Sequence, residues 1–259
     1  MPKYIKKYEL TSQKMTLRNG LVLHRIRALR DFALVKKGDL GGWVEKESNL
    51  ATDYNCAWIA GNGKVYGNAR VEGDGWVTGN ARVYGNAMII EDATIENNAR
   101  VYGNARISDV AKISENARIY DEARVSGSAQ ISDNARVYGS AEICERVIVR
   151  GNARVHGKAT IYGDACIFDS AEVCGDAVVN GKARIGGDAK IEKVFDYMTV
   201  SPVGTEKSTL TLTKGGMAFS SCFGLTWSEL LRECRKKYVP RLYANQYRSV
   251  VRFAESFFS

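Results

Sequence analysis

From Ala51 to Ala189, small and β-branched positions recur along the chain on a fixed six-residue beat. Of the 24 positions reached by counting in sixes, 21 are alanine and the others are Gly63, Gly75 and Val147. Two residues after each, the 23 positions from Ile59 to Ile191 are all valine or isoleucine. No insertion or deletion disturbs the phase over some 140 residues. A period held that long marks a repeat architecture, in which one unit is too small to bury its apolar face alone. The unit is clearest at Val65 to Arg70, where it reads Val-Tyr-Gly-Asn-Ala-Arg.

Each hexad predicts one short strand and one bend. The β-branched residue and the alanine face inward, and the Arg and Tyr positions alternate outward. Bends fall at Gly67-Asn68, Gly85-Asn86, Gly103-Asn104, Asp133-Asn134 and Gly163-Asp164, residue types that tolerate left-handed backbone angles. A second period sets the cross-section: tyrosine follows the β-branched residue at 66, 84, 102, 120 and 138, and the series continues with His156 and Cys174. That spacing of 18 is three hexads, so the prediction is an all-β solenoid, a three-sided parallel coil with residues 18 apart stacked at ~4.8 Å. Twenty-three hexads make nearly eight coils, a prism about 37 Å long.

Residues 51–192 form this body, and a solenoid needs its open ends covered. Residues 1–50 are non-repetitive, with a strand-like run at Gly20 to Ile26, and are expected to cap the first coil. Residues 193–259 predict a strand pair at Ser208 to Leu212 and Gly216 to Cys222, then two helices. Thr226-Trp227-Ser228-Glu229 is a capping box that starts the first helix. Beyond Pro240 an apolar stripe of Leu242, Tyr243, Gln246, Tyr247, Val250, Val251, Ala254 and Phe257 marks the second. Such a stripe must cover something; folding onto the end of the solenoid is the expectation, and a partner contact is the alternative.

The hexads resemble those of hexapeptide-repeat proteins that fold as left-handed parallel β-helices. Left-handedness is what the resemblance implies, since the general rule for parallel crossovers is right-handed. The opening segment, Leu23-His24-Arg25-Ile26-Arg27-Ala28-Leu29, Gly38-Asp39-Leu40-Gly41-Gly42-Trp43-Val44 and Asn49-Leu50, is similar to that of the bacterial and prophage YdcK-like proteins. The tail, with Ser221-Cys222-Phe223-Gly224 before one helix and Tyr243 to Phe253 in another, resembles the C-terminal module of phage-borne members. The resemblance implies a phage or prophage setting and side-by-side homotrimers, and implies little about activity.

Charge sharpens the picture once it is divided. Residues 1–50 carry 11 Lys/Arg against 5 Asp/Glu, residues 193–259 carry 10 against 5, and residues 51–192 carry 16 against 19. Basic caps on a slightly acidic rod argue against uniform coating of nucleic acid. One face departs from that average. Lys64, Arg82, Arg100, Arg118, Arg136 and Arg154 stand two residues before Tyr66, Tyr84, Tyr102, Tyr120, Tyr138 and His156. The tyrosine-equivalent positions of the other faces are mixed: Glu72, Ile90, Ser108, Ser126 and Cys144 on one, Ala60, Thr78, Glu96, Ser114 and Ser132 on the other.

Like charges stacked at strand spacing are unfavourable by some tenths of a kcal/mol per pair. Cation–π contacts with the tyrosines, and corner acids such as Asp121 and Glu122, are expected to offset this. An anionic ligand is the sharper explanation, because guanidinium forks grip phosphate or carboxylate and phenol rings offer stacking surfaces for bases. In a phage setting the ligand could be a nucleic acid, a host signalling nucleotide or a defence component. Two plainer readings stand beside it. Duplication copies units wholesale, as the identical Asn80 to Ala87 and Asn98 to Ala105 illustrate, and Tyr and Arg are enriched at subunit interfaces.

Catalysis is not expected. Many left-handed β-helix proteins are acyltransferases with a histidine base and a loop inserted between coils, whereas this chain has only His24 and His156 and no interrupting loop. His156 occupies a tyrosine rung with no orienting carboxylate evident, a weak general base. Neither a dinucleotide fingerprint nor a Walker-type loop is present, since Gly181-Lys182-Ala183 lacks the hydroxyl. The six cysteines show no paired spacing and read as reduced thiols, so no metal and no cofactor is expected. Met1 to Lys7 lacks a signal-peptide stretch and no run reaches membrane-spanning length, which places the expected protein in the bacterial cytoplasm.

Overall fold

The computed structural model describes residues 6–52, 55–220, 224–237 and 242–259. Twenty-three two-residue rungs run from Trp58–Ile59 to Lys190–Ile191, each ending on its β-branched residue. They stack into three parallel sheets, and residues 18 apart pair in register, as in Arg100 with Arg118 and Val101 with Ile119. Each rung donates to the next coil: Arg82 N reaches Ala99 O at 2.9 Å and Tyr84 N reaches Val101 O at 3.0 Å. Strands this short persist because both edges are paired everywhere except at the ends. Inside, the alanines and the β-branched residues form one continuous buried column, with room at each coil for small and branched side chains only.

The corners are where sequence meets backbone strain. Gly67, Gly85, Gly103 and Gly163 have φ of 69°, 73°, 70° and 83°, and Asp133 has 57°. A side chain at Gly85 would place its Cβ 3.0 Å from Gly103 N. Where an acid takes the corner, its carboxylate accepts a hydrogen bond from the backbone one coil on. Asp109 Oδ2 accepts from Gly127 N at 2.7 Å and Asp133 Oδ2 from Gly151 N at 2.8 Å. Part of the solenoid's acidity is therefore structural.

The N-terminal cap extends one of the three sheets. β1 (Tyr8–Thr16) and β2 (Val22–Ala28) form an antiparallel hairpin, and β3 (Leu40–Val44) pairs with β2 and then, in parallel, with the rung Lys64–Val65. Buried Phe32 meets Trp58 edge-on with centroids 5.3 Å apart. Tyr8 Oη donates to Glu47 O at 2.8 Å. Buried Lys7 is held by Asn55 Oδ1 at 2.8 Å and Ala57 O at 2.9 Å. Sequence pattern marks only the second arm of the hairpin, because β1 is largely polar and only its first residue is buried.

At the other end the expected strands form and are joined by more. Tyr197–Val203, Ser208–Thr213, Met217–Phe219 and Gly224–Thr226 make one antiparallel sheet. Its inner side closes the last coil. Phe219 meets Phe168 edge-on at 5.8 Å, Tyr197 Oη accepts from Asn180 N at 3.1 Å, and Thr211 Oγ1 accepts from Arg184 N at 2.9 Å. Helix α1 (Trp227–Lys237) starts at the expected box, in which Glu229 Oε2 accepts from Thr226 N at 2.9 Å and Thr226 Oγ1 from Glu229 N at 3.3 Å.

Helix α2 (Leu242–Phe258) buries Ala244, Tyr247, Val251 and Ala254. Tyr247, Val251 and Ala254 join a second core with Val203, Leu210, Leu212 and Leu230. The apolar stripe thus covers the outer side of this sheet together with α1, and the sheet rather than the helix seals the solenoid. Ser221, Cys222, Phe223 and Pro240, which the sequence reading uses, lie outside the described residues. Among the described residues no helix is long and apolar enough to cross a membrane.

Candidate functional site

Strand register brings the basic residues into a single file. Lys64, Arg82, Arg100, Arg118, Arg136 and Arg154 pair successively along the capped sheet, and the series then reads Glu172 and Lys190. The five arginines are exposed. Among the described residues none of the six cations forms an ion pair. Five neighbouring like-charge contacts at this spacing cost some tenths of a kcal/mol each. The corner acids do not relieve them: Asp121 Oδ2 accepts from Gly139 N at 3.2 Å and Glu122 Oε2 from Ser140 Oγ at 3.4 Å.

Beside the cations runs the tyrosine column. Successive ring centroids from Tyr66 through Tyr84, Tyr102, Tyr120 and Tyr138 lie 5.1, 4.9, 5.0 and 4.9 Å apart, with planes within 2° of parallel. His156 continues the stack at 4.6 Å from Tyr138. This arrangement corrects two expectations. The ring faces are spent on one another, so inner tyrosines offer no platform to a nucleobase. Among the described residues no ladder arginine lies over a ladder ring, so cation–π contact does not offset the charge. The rings are half-buried, and burial holds the phenols of Tyr66, Tyr84, Tyr120 and Tyr138 above their ordinary pKa. What the face presents is a file of guanidiniums beside a file of phenol hydroxyls.

The cap shapes one end of this face. The tip of the β1–β2 hairpin leans over the first rungs and leaves a cleft of about 790 Å³ between Met15–Asn19 and the sheet. Arg18, Lys64, Tyr66, Arg82 and Arg100 line it. Lys64 is only 8 % exposed, its Nζ donating to Asn62 O at 2.8 Å. Burial, and then the nearby Arg82, hold its pKa below the usual lysine range. Arg18 escapes sequence reasoning because it belongs to no period; a hairpin brings it there.

On the other two faces cations meet acids. Lys112 Nζ lies 2.9 Å from Glu96, Arg124 3.2 Å from Glu142 and Arg70 3.6 Å from Glu72. At a corner Arg146 pairs with Asp164 at 2.6 Å. A run of six cations in register with no acid among them is therefore a property of one face and not of the repeat.

Where the ladders end, their chemistry changes. His156 does have a carboxylate: Glu172 Oε1 stands 3.3 Å from its Nε2. Sequence spacing missed the contact because it runs diagonally, 16 residues on, rather than straight up the 18-residue rung. Cys174, the next member of the tyrosine column, is buried, and burial followed by the Glu172 charge pushes its thiol pKa up. Cys56, Cys144 and Cys234 are likewise free thiols.

No curated protein matches the chain. The model of the YdcK beta solenoid repeat matches residues 64–79, 81–97 and 129–145, all within the stacked rungs. With the parallel coils described above, the chain is a YdcK-like β-solenoid protein.

Proposed function

We propose that the protein is a non-enzymatic solenoid platform whose arginine-lined face binds a phosphate-bearing chain, a nucleic-acid strand above all, through its backbone charge. The observation that carries the reading is the file of six cations, Lys64 to Arg154, in register with no ion pair, on a solenoid whose other faces set Lys112, Arg124 and Arg70 against acids. Guanidinium forks suit phosphate oxygens, and the hydroxyls of the neighbouring tyrosines add donors. Self-stacked rings favour recognition without base preference. The cleft beside Arg18 and Lys64 supplies the most enclosed end of the surface.

A trimer built on this face would bring three like-charged columns together. Any oligomer is therefore assigned to other surfaces, such as Phe253 and Phe257, 60 % and 45 % exposed on α2. The phage or prophage setting and the bacterial cytoplasm belong to the same reading, with host nucleic acid, a signalling nucleotide or a defence component as the occupant. The uninterrupted six-residue repeats leave no inserted loop of the acyltransferase kind, which supports binding over catalysis.

The test is anisotropy of labelled single-stranded oligonucleotides of unrelated sequence over a salt series. Five phosphates engaged by five arginines give a slope of about −3.5 in log affinity against log salt. Arg100→Glu with Arg118→Glu abolishes retention and leaves the sedimentation coefficient unchanged. Salt-independent binding, or an unaltered profile in the double variant, overturns the proposal; dissociation of an oligomer by that variant assigns the face to subunit contact instead.

A further inference from the structure

Three departures from the repeat's spelling coincide at the far end of the ladders. His156 and Cys174 stand where the column has tyrosine, and Glu172 stands where it has arginine. One of the chain's two histidines is used here. An imidazole nitrogen, the Cys174 Sγ and a Glu172 carboxylate oxygen all lie within 4.8 Å of one another. We propose that these three side chains form a binding site for a thiophilic divalent cation of the zinc type, separate in chemistry from the cation column.

The donor set is one that such ions take: imidazole nitrogen, thiolate sulfur and carboxylate oxygen. One of its separations is close to what the ion requires. Nitrogen and oxygen ligands ~2.1 Å from a tetrahedral zinc stand about 3.4 Å apart, and the His156–Glu172 separation is 3.3 Å. The ligands sit on rigid elements. His156 is fixed by stacking on Tyr138 at 4.6 Å and 9°, and Cys174 follows the rung Glu172–Val173, whose register with Arg154–Val155 is set by parallel pairing. Three protein ligands leave a fourth position for water or an anion.

The neighbouring charges are of both signs. Arg154 and Lys190 flank Glu172 in the column. Lys190 Nζ lies 3.9 Å from Glu172 but 2.6 Å from Glu192, which is its tighter partner. Glu172 is thereby available to turn toward His156 and Cys174.

The full-length protein, stripped with a chelator and titrated with Co²⁺ alone, tests the site by absorption spectroscopy. The expected result is one equivalent bound, with a thiolate-to-cobalt charge-transfer band and the visible bands of a tetrahedral ion, all displaced by Zn²⁺. Cys174→Ser, which keeps the side-chain volume, removes the charge-transfer band. His156→Ala and Glu172→Gln each weaken binding at least about tenfold. Cys144→Ser and His24→Ala leave the spectrum as it is, and unchanged circular dichroism certifies each variant as folded. Absence of a charge-transfer band in the wild type, or its survival in Cys174→Ser, overturns the proposal and leaves a hydrogen-bonded cluster.

Discussion

Two faces of this solenoid share a backbone, an interior and a corner chemistry, yet treat charge in opposite ways. On the sheet holding Arg106 and Arg124, the Arg124 guanidinium meets Glu142 at 3.2 Å. On the sheet holding Arg100 and Arg118, five arginines stand in file with no acid among them. The interior cannot be the cause, because the same alternation of alanine and β-branched residues lies behind both. Folding therefore fixes where the rungs stand and leaves their outer chemistry open, and an outer pattern that costs stability points to use.

The comparison breaks first in the interior if the faces differ there. Ile119→Ala, behind the arginine file, and Ile107→Ala, behind its neighbour, both remove fully buried side chains. Each is expected to cost about 2–5 kcal/mol, and urea denaturation should find the two alike; a marked inequality would mean that the faces differ beneath their surfaces as well. The surface then gives a smaller and opposite-signed effect. Glu142→Arg takes away the partner of Arg124 and sets two cations side by side, destabilising by up to about 1 kcal/mol. Arg100→Glu instead gains Arg82 and Arg118 as opposite-charge neighbours and stabilises by some tenths of a kcal/mol. Thermal melts at low and high salt check both signs, and the gap narrows as salt rises.

The tyrosine column gives the finest test. The phenols of Tyr66, Tyr84, Tyr120 and Tyr138 have raised folded-state pKa values, from burial in the first place. Protonated phenol is thus bound more tightly by the folded state, and the stability it contributes is complete below the unfolded value of about 10. That contribution is lost as pH rises through the folded values. Tyr84→Phe, with no proton to lose, should soften the alkaline fall in melting temperature relative to wild type, and an unchanged slope would remove burial of the phenols as its cause.

Much of this molecule is legible in its spelling because the period does the reading. Ala51 to Ile191 fix inward positions, Gly85 and Asp133 fix corners, and the 18-residue return of tyrosine fixes which residues stack. What the period cannot express stays hidden. Contacts off the rung, such as His156 with Glu172, follow the reach of side chains rather than their spacing. The strand Tyr8–Thr16 carries little apolar alternation, and with it goes the placing of Arg18 over Lys64. The α2 stripe announces burial without naming what it buries, and the sheet beneath it is a meander of four consecutive short strands that no period marks. Ring orientation is the subtlest omission, since tyrosines one coil apart can display their faces or consume them, and here they consume them.

The unbroken phase from Trp58 to Ile191 has a geometric corollary. Removing or adding 18 residues rejoins a rung to an equivalent rung, with the interior and corners intact, so the length of the arginine file is quantised. A lineage could lengthen or shorten that file by whole coils, as one cuts a ruler at its marks, without redesigning a single joint.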